Sequence, residues 1–402
     1  MRPWLTIVGI GDEGLGGLAP PARVLVETAE VIVGGARHLA MIPPGAAERL
    51  PWQQPFAGSI AALAAHRGRR VVVLASGDPM WYGVGAILCR HFAREELAIL
   101  PHPGAFSLAA ARLGWPLADC VMLSLHGRPL DALRLHLAEN RRLLILSEDG
   151  ATPAAVARLL AETGWGPSRL QVFEHLGGVV EVAHSSLASE WSERRVADLN
   201  TIALECHAAS GTRGRSRLAG LPDEAFEHDG QLTKREIRAA TLAALTPLPG
   251  EHLWDVGAGC GSIAIEWLRA DDHVSAVAIE RDPVRAAIIA RNAAALGVPR
   301  LEIVHGAAPA GLAGRAPPDA IFVGGGLGDP ALLPSLWQAL RPGGRLVANV
   351  ISTEGERALL DWQAQYGGAL TRLAVSRATP LGAHLAWRPL APVTQLTAIK
   401  PG

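Results

Sequence analysis

The chain has 402 residues and a formal net charge of -1 from 37 basic and 38 acidic side chains. That length predicts two or three domains with ordinary cores, and near-neutrality gives no electrostatic reason for nucleic acid or an anionic membrane to be the main partner. The four cysteines (Cys89, Cys120, Cys206, Cys260) are scattered without a Cys-x-x-Cys pair, so neither a disulfide framework nor a metal site is expected. The opening MRPWLTIVGIGDEG reaches glycine and acid before a signal-like run could form, and no apolar run approaches the roughly 20 residues of a membrane span. A reducing, cytoplasmic setting is expected.

Short β-branched runs alternate with alanine- and leucine-rich amphipathic stretches, which predicts an α/β protein with largely parallel sheets. In the first half, strands are predicted at Leu5–Ile10, Val71–Ala75, Val121–Ser124, Leu143–Ser147, Leu170–Phe173 and Thr201–Leu204. Helices are predicted at Gly83–Phe92, Pro129–Ala138 and Pro153–Thr163. Gly9, Gly11 and Gly14 match the dinucleotide pattern Gly-x-Gly-x-x-Gly, but the context does not. Asp12 and Glu13 would repel a pyrophosphate, Pro20 and Pro21 follow before any helix, and the next strand ends in Gly34–Gly35 rather than in an acid. Farther on, a buried strand breaks at Ser76-Gly77-Asp78-Pro79, which taken alone reads as an ordinary strand-ending turn.

From Ala208 the texture changes to small, charged and turn-forming residues with no apolar period, so a boundary is placed there, giving domains 1–207 and 208–402. A second series begins with the helix LTKREIRAATLAAL and continues through strands at His252–Val256, Val274–Ile279, Leu301–Val304, Ala320–Val323 and Arg345–Val350. The last stretch, from Arg372, reads as antiparallel strands closing that sheet. The Gly-rich motifs of the two halves differ in spacing, so the chain reads as a fusion of unlike domains.

The second motif is DVGAGCGS, with Gly257, Ala258, Gly259, Cys260 and Gly261 after Asp255 at a strand end. Its Gly-x-Gly-x-Gly spacing is not the dinucleotide one. Asp255 would repel a pyrophosphate and welcome a cationic amino-acid moiety. Glu280 closes the next strand, close to the usual separation of about 20 residues for an acid that accepts from ribose hydroxyls. Ribose, no phosphate and a positive end together fit S-adenosylmethionine. The strand Ala320–Val323 runs into Gly324-Gly325-Gly326, where methylases of exocyclic base amines carry Asn/Asp-Pro-Pro-Tyr, and no Pro-Cys nucleophile is present. An already nucleophilic carbon is the expected acceptor, with positioning and desolvation supplying most of the acceleration. Trp81, Trp254 and Trp387 are expected in the core, although Trp81 beside Asp78 could line a planar-ligand cleft.

The order Gly-rich start, Ser-Gly-Asp-Pro, Pro103-Gly104-x-x-Ser107, Ser124-x-His126-Gly127 resembles the tetrapyrrole methylase family over roughly the first 205 residues. With LPDEAFEHDGQLTKREIRA, GAAP (Gly306–Pro309), FVGGG and LRPGGRLVANVI added, nearly the whole chain is similar to the decarboxylating precorrin methyltransferases of cobalamin biosynthesis. The resemblance implies a two-lobed tetrapyrrole methylase (class III) domain followed by a Rossmann-like class I methyltransferase domain, each with one S-adenosylmethionine. It implies methylation of precorrin-6B at the meso carbons C5, by the first domain, and C15, by the second. It also implies loss of carbon dioxide from the ring C acetate in the second domain, giving precorrin-8.

Carried over, the cofactor contacts are Thr233, Gly257, Ala258, Gly259, Cys260, Gly261, Glu280 and Ala308 in the second domain, and Gly77, Asp78, Pro79 and Ser107 in the first. The Gly9–Gly17 loop, with Gly9, Gly11 and Asp12, faces the macrocycle. A substrate rich in carboxylates asks for cationic clamps. Lys234 and Arg235 are candidates, or are equally the exposed face of a helix; Arg213, Arg215 and Arg217 are clamps or a solvated linker. A homo-oligomer is expected, and no catalytic side chain is assigned. The competing readings are a chain with one catalytic half beside a tetrapyrrole-binding module, and a nucleic-acid methylase, which the neutral charge disfavours.

Overall fold

The computed structural model describes residues 3–192 and 194–402. Its chain divides into two compact units, Met1–Leu130 with Ala138–Arg213, and Asp131–Leu137 with Gly214–Gly402. Among the described residues no helix is long and apolar enough to cross a membrane.

The first unit holds two sheets. The first comprises β1 (Leu5–Ile10), β2 (Val31–Gly34), β3 (Glu48–Pro51), β4 (Val71–Ser76) and β5 (Leu97–Leu100), in the order β3-β2-β4-β1-β5 with every pairing parallel. Its central strands β1 and β4 are apolar except at Thr6 and Ser76, because both faces are covered. Alternate residues divide between the faces: Leu5, Ile7, Val71 and Val73 pack on one side, Val8, Ile10, Val72 and Leu74 on the other.

The second sheet comprises β6 (Cys120–Ser124), β7 (Arg142–Leu146), β8 (Arg169–Glu174), β9 (Val182–Leu187) and β10 (Asn200–Glu205), in the order β6-β7-β10-β8-β9. Here the expectation of largely parallel pairing fails, since only β6 and β7 run parallel. Residues 175–181 alone join β8 to β9, too few for a parallel crossover of about a dozen residues. Two predicted helices also change. Gly83–Phe92 shortens to Val84–Leu88, and Pro129–Ala138 becomes a 3-10 stretch, Leu130–His136, in which the neighbours Leu135 and His136 are both buried. Burial on several sides there overrides helix propensity.

The second unit is built on β11 (His252–Val256), β12 (Ser275–Glu280), β13 (Glu302–His305), β14 (Ala320–Val323), β15 (Arg345–Val350), β16 (Ala369–Leu373), a hairpin of β17 (Ser376–Leu381) and β18 (His384–Pro389), and β19 (Val393–Ile399). The seven-stranded order is β13-β12-β11-β14-β15-β19-β16, parallel through β15 and antiparallel where β19 and β16 add on. The C-terminal stretch therefore only partly closes the sheet, because β17 and β18 pair with each other as a separate ribbon. On that ribbon Trp387 is 76% exposed, against the expectation that it is core, whereas Trp254 is buried. Strand order reverses between β11 and β14, and crevices outside the carboxyl ends of such strands are where open α/β sheets bind ligands.

Candidate functional sites

At that reversal lies a cleft of about 720 Å³, lined by the loops after β11, β14 and β15 and by residues 230–234. Gly257 leaves β11 with φ +68°, and a Cβ there would stand 3.0 Å from the Gly325 nitrogen, so the two loops approach as closely as backbone allows. A Cβ on Gly261 would meet Ile289 at 2.8 Å, which explains glycine where the helix Ser262–Ala270 packs on Pro283–Ala295. By contrast, a Cβ on Gly259, Gly325 or Gly328 meets nothing within 4 Å. These glycines border the open cradle itself.

Of the residues assigned to this site, Thr233, Gly257, Ala258, Gly259, Cys260 and Lys234 line the cleft. Gly261, Glu280, Ala308 and Arg235 are not among its lining residues. Glu280 is 5% exposed; one oxygen accepts from Gly259 N at 2.8 Å and the other from Asp282 N at 3.0 Å. It braces the glycine loop from behind, and each oxygen keeps a second lone pair. Ala308 packs among the side chains beneath the sheet. Arg235 gives its backbone N–H to Asp223 at 2.9 Å. In the Arg213–Arg217 segment, Arg217 pairs with Asp272 at 2.9 Å and the carbonyls of Arg215 and Ser216 accept from Arg269. These bonds make the segment a strap against the helix Ser262–Ala270.

Asp255 differs from expectation. Its carboxylate is buried: one oxygen accepts from Ala264 N at 3.0 Å, and the other has no partner among the described residues. It therefore faces the start of a helix and does not await a cationic ligand in the cleft. Burial, with Glu280 adding repulsion, pushes its pKa up to about 7. An acid whose folded-state pKa is raised binds more protons folded than unfolded, so its ionisation penalty is absent below about 3.8, grows with pH and is complete above about 7. Asp255→Asn keeps an acceptor for Ala264 and removes the titration. The variant is expected to gain about 2–3 kcal/mol relative to the parent between about pH 5 and about pH 8 in denaturant unfolding. Parallel pH profiles would contradict this.

Two polar networks hold the cleft walls. Arg238, fully buried, gives Nε to Glu266 at 2.6 Å and Nη1 to the Thr233 carbonyl at 2.5 Å. It also donates to the Leu221 carbonyl, pairs with Asp223 at 3.3 Å and lies 4.6 Å from the Phe226 ring centre. Residues 221–233 are thereby fastened to the helix behind the glycine loop. On the opposite wall, Asn349 gives Nδ2 to Thr241 at 2.8 Å and accepts from Gln395 at 2.9 Å. Sequence reasoning missed this wall, Asn349 to Glu354, although the end of a strand beside the reversal is where it belongs.

In the first unit, the loops after β1, β4 and β5 meet without side chains between them. A Cβ on Gly9 would lie 2.0 Å from the Gly77 carbonyl oxygen, and one on Gly77, at φ +53°, would lie 2.5 Å from Gly104 Cα. The turn is fixed further by Asp78, whose carboxylate accepts from Met80 N at 2.8 Å. Beside it a narrow cleft of about 70 Å³ runs between the two sheets, with Gly11, Asp12, Arg37, Ser76 and Gly77 on one side and Phe173, Leu176 and Thr201 on the other. Gly9, Asp78, Pro79 and Ser107 are not among its lining residues; Ser107 is exposed on the helix Ala105–Leu113.

The charge argument for this loop also needs correction. Asp12 is paired with Arg37 at 2.8 Å and His175 at 2.9 Å, and Glu13 with His102 at 2.8 Å, so neither carboxylate stands free to repel an anion. What excludes a dinucleotide is the backbone: a 3-10 turn, Gly14–Gly17, follows the loop, the next helix starts only at Pro20, and β2 ends in glycine. Nearby, burial and the adjacent Arg37 lower the pKa of His38 to about 4, leaving a neutral ring whose Nε2 lies 2.9 Å from Ser76 Oγ. Trp81 is 49% exposed rather than core. Its neighbour Tyr82, at φ +55°, donates its hydroxyl to the Met122 carbonyl at 3.1 Å and ties the β4 turn to the second sheet.

Residues 4–182 match the model of the tetrapyrrole (corrin/porphyrin) methylases, and residues 224–400 that of the precorrin methyltransferase domain. A Sinorhizobium protein named precorrin-6Y C(5,15)-methyltransferase [decarboxylating] is 48% identical over 398 residues, covering 98% of this chain and 96% of its own. Two shorter Salmonella typhimurium proteins match parts of the chain. A cobalt-precorrin-7 C(5)-methyltransferase is 33% identical, over 45% of this chain and 89% of its own. A cobalt-precorrin-6B C(15)-methyltransferase (decarboxylating) is 36% identical, over 40% and 85%. With near full-length identity of this order added to two glycine-walled crevices of different design, the chain belongs to the family of decarboxylating precorrin-6Y C(5,15)-methyltransferases.

Proposed function

We propose that each half of the chain binds one S-adenosylmethionine and performs one methyl transfer on precorrin-6B. Domain 1–207 methylates C5; domain 208–402 methylates C15 and decarboxylates the ring C acetate, which loses carbon dioxide and remains as a methyl group, giving precorrin-8. Methyltransferases of this family use S-adenosylmethionine. The observation that carries the reading is the pair of unlike crevices, each at the carboxyl ends of parallel strands and each walled by glycine. That a C(5)- and a C(15)-methyltransferase occur elsewhere as separate proteins, each matching less than half of this chain, supports the division.

In the second domain, Thr233 and Gly257–Gly261 would hold the donor, with Glu280 bracing the loop and Ala308 shaping the floor. In the first, Gly77, Asp78, Pro79 and Ser107 would do so, with Gly9, Gly11 and Asp12 toward the macrocycle. The donor supplies an electrophilic methyl group. The protein's residues align that group with an electron-rich meso carbon and keep water from it, so neither metal nor covalent nucleophile is required. Lys234 suits a substrate carboxylate, as a point charge on a flexible stem. A homo-oligomer in the reducing cytoplasm completes the reading, with Leu381, Leu385 and Trp387 exposed on the β17–β18 ribbon as an apolar contact for a second copy. Nucleic acid has no part in it.

Full-length protein given precorrin-6B and S-adenosylmethionine is expected to yield one product that has gained two methyl groups and lost one carbon dioxide by mass spectrometry. A product carrying one methyl group at saturating donor would overturn the assignment of a transfer to each half.

A further inference from the structure

Resting on that reading, the chemistry of the second domain has a proton balance that its cleft is equipped to meet. When C15–H attacks the donor methyl, the C–C bond forms, the sulfur takes the S–C pair, and C15 must then shed its proton to restore the conjugated system. When the ring C acetate loses carbon dioxide, its C–C pair moves into the conjugated ring and the exocyclic carbon must gain one proton to become a methyl group. The first event releases one proton and the second consumes one. A single acid–base side chain able to reach both carbons would leave the pair of steps neutral, with no oxidant or further reactant needed.

The described residues lining the 720 Å³ cleft include three titratable side chains: Lys234, Cys260 and Glu354. Cys260 is buried, and burial pushes its thiol up, which holds it protonated. Lys234 stands at the N-terminal end of the helix Arg235–Leu245 without a side-chain capping bond, and suits a substrate carboxylate. Glu354 is the one carboxylate among them. It is exposed on the cleft wall in the first turn of the helix Thr353–Tyr366, shortly after Ile351 and Ser352, which also line the cleft. Among the described residues it has no ion-pair partner, whereas Glu356 in the same turn is paired with Arg372.

An acid in a first helical turn is commonly there only to complement the helix dipole, worth about 0.3–1 kcal/mol. This helix already has Ser352 as its cap, accepting from Gly355 N at 3.1 Å, and Glu356 as a first-turn acid. Neither task requires Glu354 to face the cleft. We propose that Glu354 is the catalytic acid–base of the second domain, taking the proton that leaves C15 and supplying the proton that completes the decarboxylated side chain.

The test compares full-length Glu354→Gln and Glu354→Asp with the parent in single turnovers on precorrin-6B, following C15 methylation and carbon dioxide release. Binding of S-adenosylhomocysteine by calorimetry and of precorrin-6B by absorbance titration provides the readout independent of turnover. A positioned acid–base contributes about 10²–10⁴-fold. The glutamine variant is therefore expected to lose at least tenfold in both rates while both dissociation constants stay within threefold, and aspartate to restore part of the loss. A loss below tenfold, or a loss matched by weaker binding of either ligand, overturns the proposal. If the parent itself neither methylates C15 nor releases carbon dioxide, the functional reading fails instead, and the two failures are distinguished by that parent control.

Discussion

Arg238→Met is expected to cost about 3–5 kcal/mol of stability in the C-terminal domain, because it leaves the Glu266 carboxylate, 2% exposed, without its cation. Glu266 would keep only the amides of Gly220 and Leu221, at 2.6 and 2.9 Å. The carbonyls of Leu221 and Thr233 would lose a donor as well. The loss should propagate to function, since residues 230–234 form one wall of the cleft and are held by that guanidinium. Guanidinium chloride unfolding of the full chain measures the cost. The double variant Arg238→Met, Glu266→Gln is expected to recover part of it by removing the uncompensated charge. A single-variant cost below about 1 kcal/mol would show that the ion pair contributes no more than an exposed one.

Gly77→Ala is expected to abolish C5 methylation while leaving C15 methylation and decarboxylation in place. Alanine at φ +53° pays a left-handed penalty of about 1–2 kcal/mol, and its Cβ would lie 2.5 Å from the backbone of Gly104, which cannot swing aside as a side chain could. The β4 and β5 loops must separate, and a misplacement of about 1 Å is enough to cost on the order of 10²-fold in rate. Gly45→Ala is the control, since its Cβ would meet nothing nearer than the Pro43 carbonyl oxygen at 3.9 Å. Product NMR with precorrin-6B decides. Loss of both methyl groups in the Gly77 variant would mean that the halves do not act separately.

Much of the architecture is legible in the sequence where a single local signal dominates. The buried runs LTIVGI and VVVLAS become parallel central strands, and His252–Val256, Ala320–Val323 and Arg345–Val350 fall where hydrophobic patterning puts them. The glycine loop after β11 is likewise readable, because positive φ and close approach can be met by little else. What the sequence hides are decisions made by tertiary partners. Nothing local shows that β10 inserts between β7 and β8, or that Asp12 is neutralised by Arg37 and by His175, which is distant in sequence. Asp255 reads as a ligand-facing acid by its position at the strand end, yet burial and a hydrogen bond from Ala264 N turn it toward the protein. Asn349 and Glu354 carry no motif, and only the strand order brings them to the cleft.

Two donor sites per chain is the claim on which the rest depends, and counting them is direct. Calorimetric titration of the full-length protein with S-adenosylhomocysteine is expected to give two equivalents bound per chain, falling to one in Gly77→Ala. One equivalent in the parent, retained in that variant, would contradict the account.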